Sequence, residues 1–174
     1  VKLKLVSKGP AQIALDDVKL YLRVLHSEED ALIQSLLTAA IDKAEQITGR
    51  ALSVRTYELY RDDSDPFVLP YPPLRAVNRL EVLDGENYVP AEYELDDKAT
   101  PAMIRPKTEA SGLNCIRVEF ECGYEQIPDA IKSWIFVQVA TLYENRMNIA
   151  EGQVVQMPHS FVDHLLDSYR VRQV

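Results

Sequence analysis

Residues 114–146, "NCIRVEFECGYEQIPDAIKSWIFVQVATLYENR", change their hydrophobic period in mid-course. In the first third Ile116, Val118 and Phe120 alternate with Arg117, Glu119 and Glu121, the period of two that gives a strand one core face and one wet face. Past Pro128, a residue suited to the first turn of a helix, the alternation stops. Residues 129–146 then run as about five helical turns in which Ser133, Gln138 and Thr141 are the only polar breaks between Trp134 and Tyr143. A helix that is apolar all round is either central to its own domain or shared with a neighbour. The same helix closes on Tyr143, Glu144, Asn145 and Arg146. Arg146 suits the negative end of the helix dipole, and charge-assisted bonds of Glu144 and Arg146 across a subunit boundary are the functional alternative.

Upstream, the period of two recurs in "SVRTYELYRD" (53–62), "AVNRLEVLDG" (76–85) and "YVPAEYELD" (88–96), which are rich in β-branched and aromatic residues. With the segment at 114–124 they predict four or more antiparallel strands. Pro70, Pro72 and Pro73 remove backbone donors and predict an extended connector at 65–77. Farther upstream "ALDDVKLYLRVL" (14–25) predicts a short helix with Asp16 and Asp17 in its first turn. "HSEEDALIQSLLTAAIDKAEQITGR" (26–50) predicts a longer one, opened by Ser27 with Asp30 and closed by Gly49. Ile33, Leu37, Ala40, Ala44 and Ile47 mark its apolar stripe. Downstream, 147–157 predicts a loop, and "PHSFVDHLLDSYRV" (158–171) an amphipathic tail with Phe161, Leu165, Leu166 and Tyr169 on one side. The expected fold class is α+β: a helical core from N- and C-terminal helices with an inserted antiparallel β-sheet. It forms a single domain over 1–174, divided into helices at 1–50, the β insertion at 51–125, the core helix at 126–150, and the loop and terminal helix at 151–174.

Composition bounds the function. The chain has 174 residues, 47% apolar and 26% charged, enough for an ordinary core without staples. A formal charge of -8 opposes any grip on nucleic acid, which relies on clustered Lys and Arg, but suits a surface past which DNA slides without sticking. No apolar run reaches the roughly 18 to 20 residues of a membrane span. "VKLKLVSKG" at the start lacks the apolar centre of a secretory signal, and with no glycosylation sequon the expectation is folding inside the cell.

Candidate chemistry is thin. Asp62, Asp63 and Asp65 in "RDDSDP" lack the glycine and distal glutamate of a calcium loop and read as a solvated turn. Cys115 and Cys122 are seven apart, on opposite faces of one strand, which disfavours a bridge between them. His159 and His164 are five apart, out of register for a shared ligand, so no metal is expected. Neither phosphate-cradling glycine spacing nor a nucleophile elbow occurs, so no cofactor and no enzymatic activity are expected. An acid hydrolase would have to use the Asp62, Asp63, Asp65 cluster. A carbohydrate- or peptide-binding module would use a sheet face near Tyr57, Tyr60 and Tyr93.

Taken in order, residues 14–52, "LPYPPLRAVNRLEVLDG" (69–85), "VEFECGYEQIPDAIKSWIFVQVATLYENR" (118–146) and "LLDSYR" (165–170) resemble the head-tail connector (adaptor, or head completion) proteins of tailed double-stranded DNA phages and prophages. The resemblance implies a structural virion protein at the head-tail junction, made in the bacterial host cytoplasm. It implies a ring of twelve copies beneath the portal, extending the DNA channel and presenting a surface to a downstream tail or stopper protein. Carried onto this chain, Phe161, Leu165, Leu166, Tyr169 and Arg170 would dock on the portal. Trp134, Ile135, Gln138, Leu142, Glu144 and Arg146 would line the contact between ring neighbours. Ser168 stands where the family's tail often has proline, so the terminal helix is free to continue there.

Overall fold

The computed structural model describes residues 1–10, 12–145 and 159–171; Arg146 and the loop expected at 147–157 lie outside them. The chain divides into two compact units, Val1–Pro10 with Gly49–Glu125 and Ala11–Thr48 with Gln126–Val174.

The first unit is all β. A five-stranded antiparallel sheet has the order β1 (Lys2–Lys8), β2 (Arg55–Asp63), β8 (Ser111–Cys122), β4 (Leu74–Asp84), β5 (Asn87–Pro90). A three-stranded sheet has the order β3 (Phe67–Val68), β7 (Met103–Pro106), β6 (Tyr93–Asp96). β8 is the middle strand of the larger sheet, and its alternation sets the faces. Ile116, Val118 and Phe120 are fully buried, with Tyr57 and Leu59 of β2 paired to Phe120 and Val118 on one side, and Leu80 and Val82 of β4 paired to Val118 and Ile116 on the other. Phe67 and Ile104 of the smaller sheet join the same apolar cluster, so the two sheets share one core. Cys115 and Cys122 are both buried, and both belong to this cluster.

Three features depart from the sequence expectation. The segment 88–96 is not one strand: β5 stops at Pro90, which has no N–H for a ladder, Ala91 bonds back to the Leu80 carbonyl at 3.0 Å, and β6 starts in the other sheet. β7 is only four residues long and ends on a proline, too short for a periodic signal. The opening "KLKLVSK" is a full strand, although none of its residues is buried.

The second unit is helical: α1 (Leu15–Leu22), α2 (Asp30–Thr48), α3 (Asp129–Glu144) and α4 (His159–Asp167). Asp16 and Asp17 occupy the first turn of α1, and Arg23 ends it in the left-handed conformation, φ 59°, with its N–H on the Leu20 carbonyl. α2 buries Ile33, Leu37, Ala40, Ala44 and Thr48, nearly the expected stripe, and Gly49 follows at φ 69°. The Thr48 hydroxyl is satisfied inside the helix by the Ala44 carbonyl at 2.7 Å. In α3 the buried residues are Ile131, Trp134, Ile135 and Val139, one stripe at i, i+3, i+4 and i+8, and α3 packs against α1, α2 and α4. The rest of its apolar surface is not buried. α4 ends at Asp167, with Ser168 and Tyr169 in a turn, so the helix does not run on through Ser168.

Candidate assembly surfaces

α3 divides the residues expected at a ring contact. Trp134 and Ile135 are buried, at 2% and 0% exposure, and so belong to the helical core. Gln138 is half-buried, Leu142 is 43% exposed, and Glu144 is exposed. Arg146 lies outside the described residues. Phe136 and Val137, absent from that set, are half-buried on the same helix. The Phe136 ring meets Tyr21 at 5.2 Å between centroids and lies under Lys132 Nζ at 5.4 Å. Lys132 in turn reaches Asp17 at 3.1 Å. The neighbouring Leu20 and Leu25 are 74% and 93% exposed. Periodicity within α3 gave no sign of these α1 residues, because α1 and the turn after it contribute them.

The terminal helix is similarly divided. Leu166 is fully buried, Leu165 and Tyr169 are half-buried, and Arg170 is exposed. Phe161 lies on α4, and its side chain is outside the described residues. The Val171 N–H bonds the Thr48 carbonyl at 2.8 Å, which ties the tail to the end of α2. Asp167 receives His164 at 2.7 Å and Arg170 at 3.3 Å; the His164 hydrogen bond, with the Arg170 charge, holds its carboxyl below the ordinary value despite some desolvation.

The outer face of the larger sheet is a lattice of ion pairs. Glu58, 8% exposed, accepts from Lys4 Nζ at 3.3 Å, Arg79 at 3.3 Å and the Tyr60 hydroxyl at 3.2 Å. Arg79 also reaches Glu119 at 2.8 Å, Arg117 bonds Glu81 at 2.7 Å while lying over the Tyr88 ring, and Arg75 bonds Glu121 at 2.6 Å. Burial alone would raise the pKa of Glu58. The hydrogen bonds from Lys4 and Tyr60 and the charges of Lys4 and Arg117 outweigh it, and the pKa is lowered. The sign of the linkage follows. A depressed carboxyl contributes stability above its unfolded value, near 4.5, and that contribution is lost as pH falls through the folded pKa. Thermal unfolding of Glu58→Gln and of the unaltered chain should therefore differ most near neutrality and converge below about pH 4. A constant gap across that range would mean that Glu58 ionisation does not support the fold.

The aromatic positions do not form one binding face. Tyr57 is buried and stacks on Phe120 at 5.9 Å and Tyr71 at 5.3 Å, Tyr60 lies on the opposite, charged face, and Tyr93 belongs to the smaller sheet. The aspartates at 62, 63 and 65 are engaged locally. Asp62 accepts the Asn114 N–H at 2.7 Å, and Asp63 accepts from Arg61 and from the Asp65 N–H. The Arg61 hydrogen bond is the main cause that lowers the Asp63 pKa, which opposes a role as a proton donor. Among the described residues no group of three or more His, Cys, Asp or Glu side chains converges as a metal site, and no helix is long and apolar enough to cross a membrane.

Comparison with known proteins bears on these surfaces. No curated protein matches the chain by sequence. Three chains of solved structures match its fold over its full length and cover 97% of their own: one from the neck of an empty gene transfer agent (GTA) particle solved with C6 symmetry, at TM-score 0.77 and 24% identity; one from the neck of a native GTA particle solved with C12 symmetry, at 0.75 and 23%; and one from the virion of a native GTA particle, at 0.72 and 25%. The family model that matches is that of phage gp6-like head-tail connector proteins, over residues 12–90, just under half of the chain. The resemblance seen in the sequence thus holds: residues 12–90 of this chain are similar to the phage gp6-like head-tail connector proteins.

Proposed function

We propose that the chain is a structural component of the head-tail junction of a tailed phage or phage-like particle. It assembles as a ring of twelve copies beneath the portal, carries the DNA channel onward and offers its far side to a tail or stopper protein. The observation that carries this reading is the connector-family match over residues 12–90, and the full-length fold shared with chains of GTA neck and virion structures supports it. The physical chemistry agrees. A net charge of -8 lets DNA pass without adhesion. Exposed apolar side chains on α1 and α3 provide surface for a neighbouring copy. The role is structural and not catalytic. A sugar- or peptide-binding module on the aromatic strands has no support, since Tyr57 is committed to the core.

Portal docking falls to Leu165, Tyr169 and Arg170, with Leu166 holding α4 in place from beneath. Native mass spectrometry of the chain with its portal tests this. The double variant Leu165→Asp, Arg170→Glu should keep its helical circular dichroism and lose at least about tenfold in portal affinity, roughly 1.4 kcal/mol. Unchanged association would remove α4 as the docking element.

A further inference from the structure

The two edges of the five-stranded sheet carry opposite charge. β1, at one edge, reads Lys-Leu-Lys-Leu-Val-Ser-Lys, is exposed throughout, and is paired only with β2. β5, at the other edge, is paired only with β4 and lies between Asp84 and Glu86 on one side and Glu92 and Glu94 on the other. From Leu80 to Asp97 the sequence holds no lysine or arginine.

The faces correspond as well. Leu3 and Leu5 pair with Leu59 and Tyr57, so they carry the apolar face of the sheet out to its edge, where they are 36% and 48% exposed. Val89 pairs with the buried Val82 and carries the same face out at the opposite edge, 40% exposed. A long edge strand with free backbone groups is a template for another strand. The lysines of β1 make a second β1 a poor partner, because like charges would lie opposite one another, and they favour an acidic edge. This chain supplies such an edge on the same sheet.

We propose that β1 of one copy adds to β5 of the next, joining the five-stranded sheets side by side, with the apolar rows at Leu3, Leu5 and Val89 meeting and lysines facing carboxylates. The contact is heterologous, the kind that closes into a ring, and it deepens the ring assignment on which it rests.

Two charge-reversed chains test it: Lys2→Glu with Lys8→Glu, which leaves the Lys4–Glu58 pair intact, and Glu86→Lys with Glu92→Lys, Asp84→Asn and Glu94→Gln, which makes the β5 edge basic. Each chain alone now presents like-charged edges and should assemble at least tenfold more weakly than the unaltered chain, with or without portal. Mixed in equal amounts, each basic edge meets an acidic one at every contact, and native mass spectrometry should find closed assemblies with the two chains in a one-to-one ratio. Either variant assembling alone as the unaltered chain does would overturn the edge contact and leave the ring standing, as would a mixture that fails to recover. Closed β1-to-β1 dimers of the unaltered chain would overturn it too. An unaltered chain that never assembles, even on portal, would sink the ring itself. In the unaltered protein, amide exchange should slow on assembly at residues 2–8 and 87–90, and unchanged exchange at both would overturn the proposal independently of any variant.

Discussion

An alanine at position 123 is expected to cost the β unit more than about 3 kcal/mol and to leave most of the expressed chain insoluble. Gly123 follows β8 with φ at +106°, a conformation that L side chains rarely adopt. A Cβ built there would lie 2.1 Å from the Ser53 carbonyl oxygen and 2.7 Å from its carbon, and both are backbone atoms that no rotamer change can move aside. The residue is also pinned, because its N–H donates to the Pro73 carbonyl at 2.8 Å. Relief therefore needs the segment before β2 to separate from the end of β8. Gly85, in the turn from β4 to β5, is the control. Its φ is +62°, but nothing lies within 4 Å of a Cβ there, so Gly85→Ala should cost only about 1 kcal/mol of backbone strain. Chemical denaturation of both variants separates the two effects. Equal losses at 85 and 123 would mean that conformation matters and close approach does not.

The fold was readable wherever one residue's burial repeats at a fixed period. The stripe Ile33, Leu37, Ala40, Ala44 and the alternation Ile116, Val118, Phe120 each extend far enough for periodicity to fix element and face, and both sit in the core. Periodicity failed where elements are short or unburied. β3 has two residues and β7 four, and β1 buries nothing, so its Lys-Leu alternation marks an edge and not a core strand. That a sheet divides after Pro90 depends on which strand each half finds, a matter of tertiary pairing. The candidate surfaces were less readable than the fold. Apolarity along α3 tells how much of the helix lacks water-loving residues but not which side meets the other helices, so nothing in the sequence separates the buried Trp134 and Ile135 from the exposed Leu142. The ion lattice on the sheet was invisible for another reason: Glu58, Arg79 and Glu119 come from three strands far apart in the chain, and register alone brings them together.

Truncation at two positions of α3 is expected to give opposite phenotypes, and the contrast separates what the helix does for its own fold from what it does for an assembly. Trp134 is 2% exposed, lies on the stripe with Ile131, Ile135 and Val139, and is the largest of the fully buried side chains. Trp134→Ala removes that volume and leaves a cavity that rigid neighbours fill only in part, so the helical unit should lose about 3 to 5 kcal/mol. Leu142, two turns on, is 43% exposed. Leu142→Asp gives up the covered part of that side chain and sets a carboxylate near the negative end of the helix, and should cost the monomer only about 1 to 1.5 kcal/mol. If α3 gives its uncovered side to an adjacent copy, the same change places a carboxylate in an apolar contact and should weaken self-association by tenfold or more, since a charge buried without a partner is costly. Equilibrium unfolding reads the first effect and sedimentation velocity the second. A Leu142→Asp chain that assembles normally would confine α3 to the interior of its own unit, and the lateral contact would then rest on the sheet edges alone.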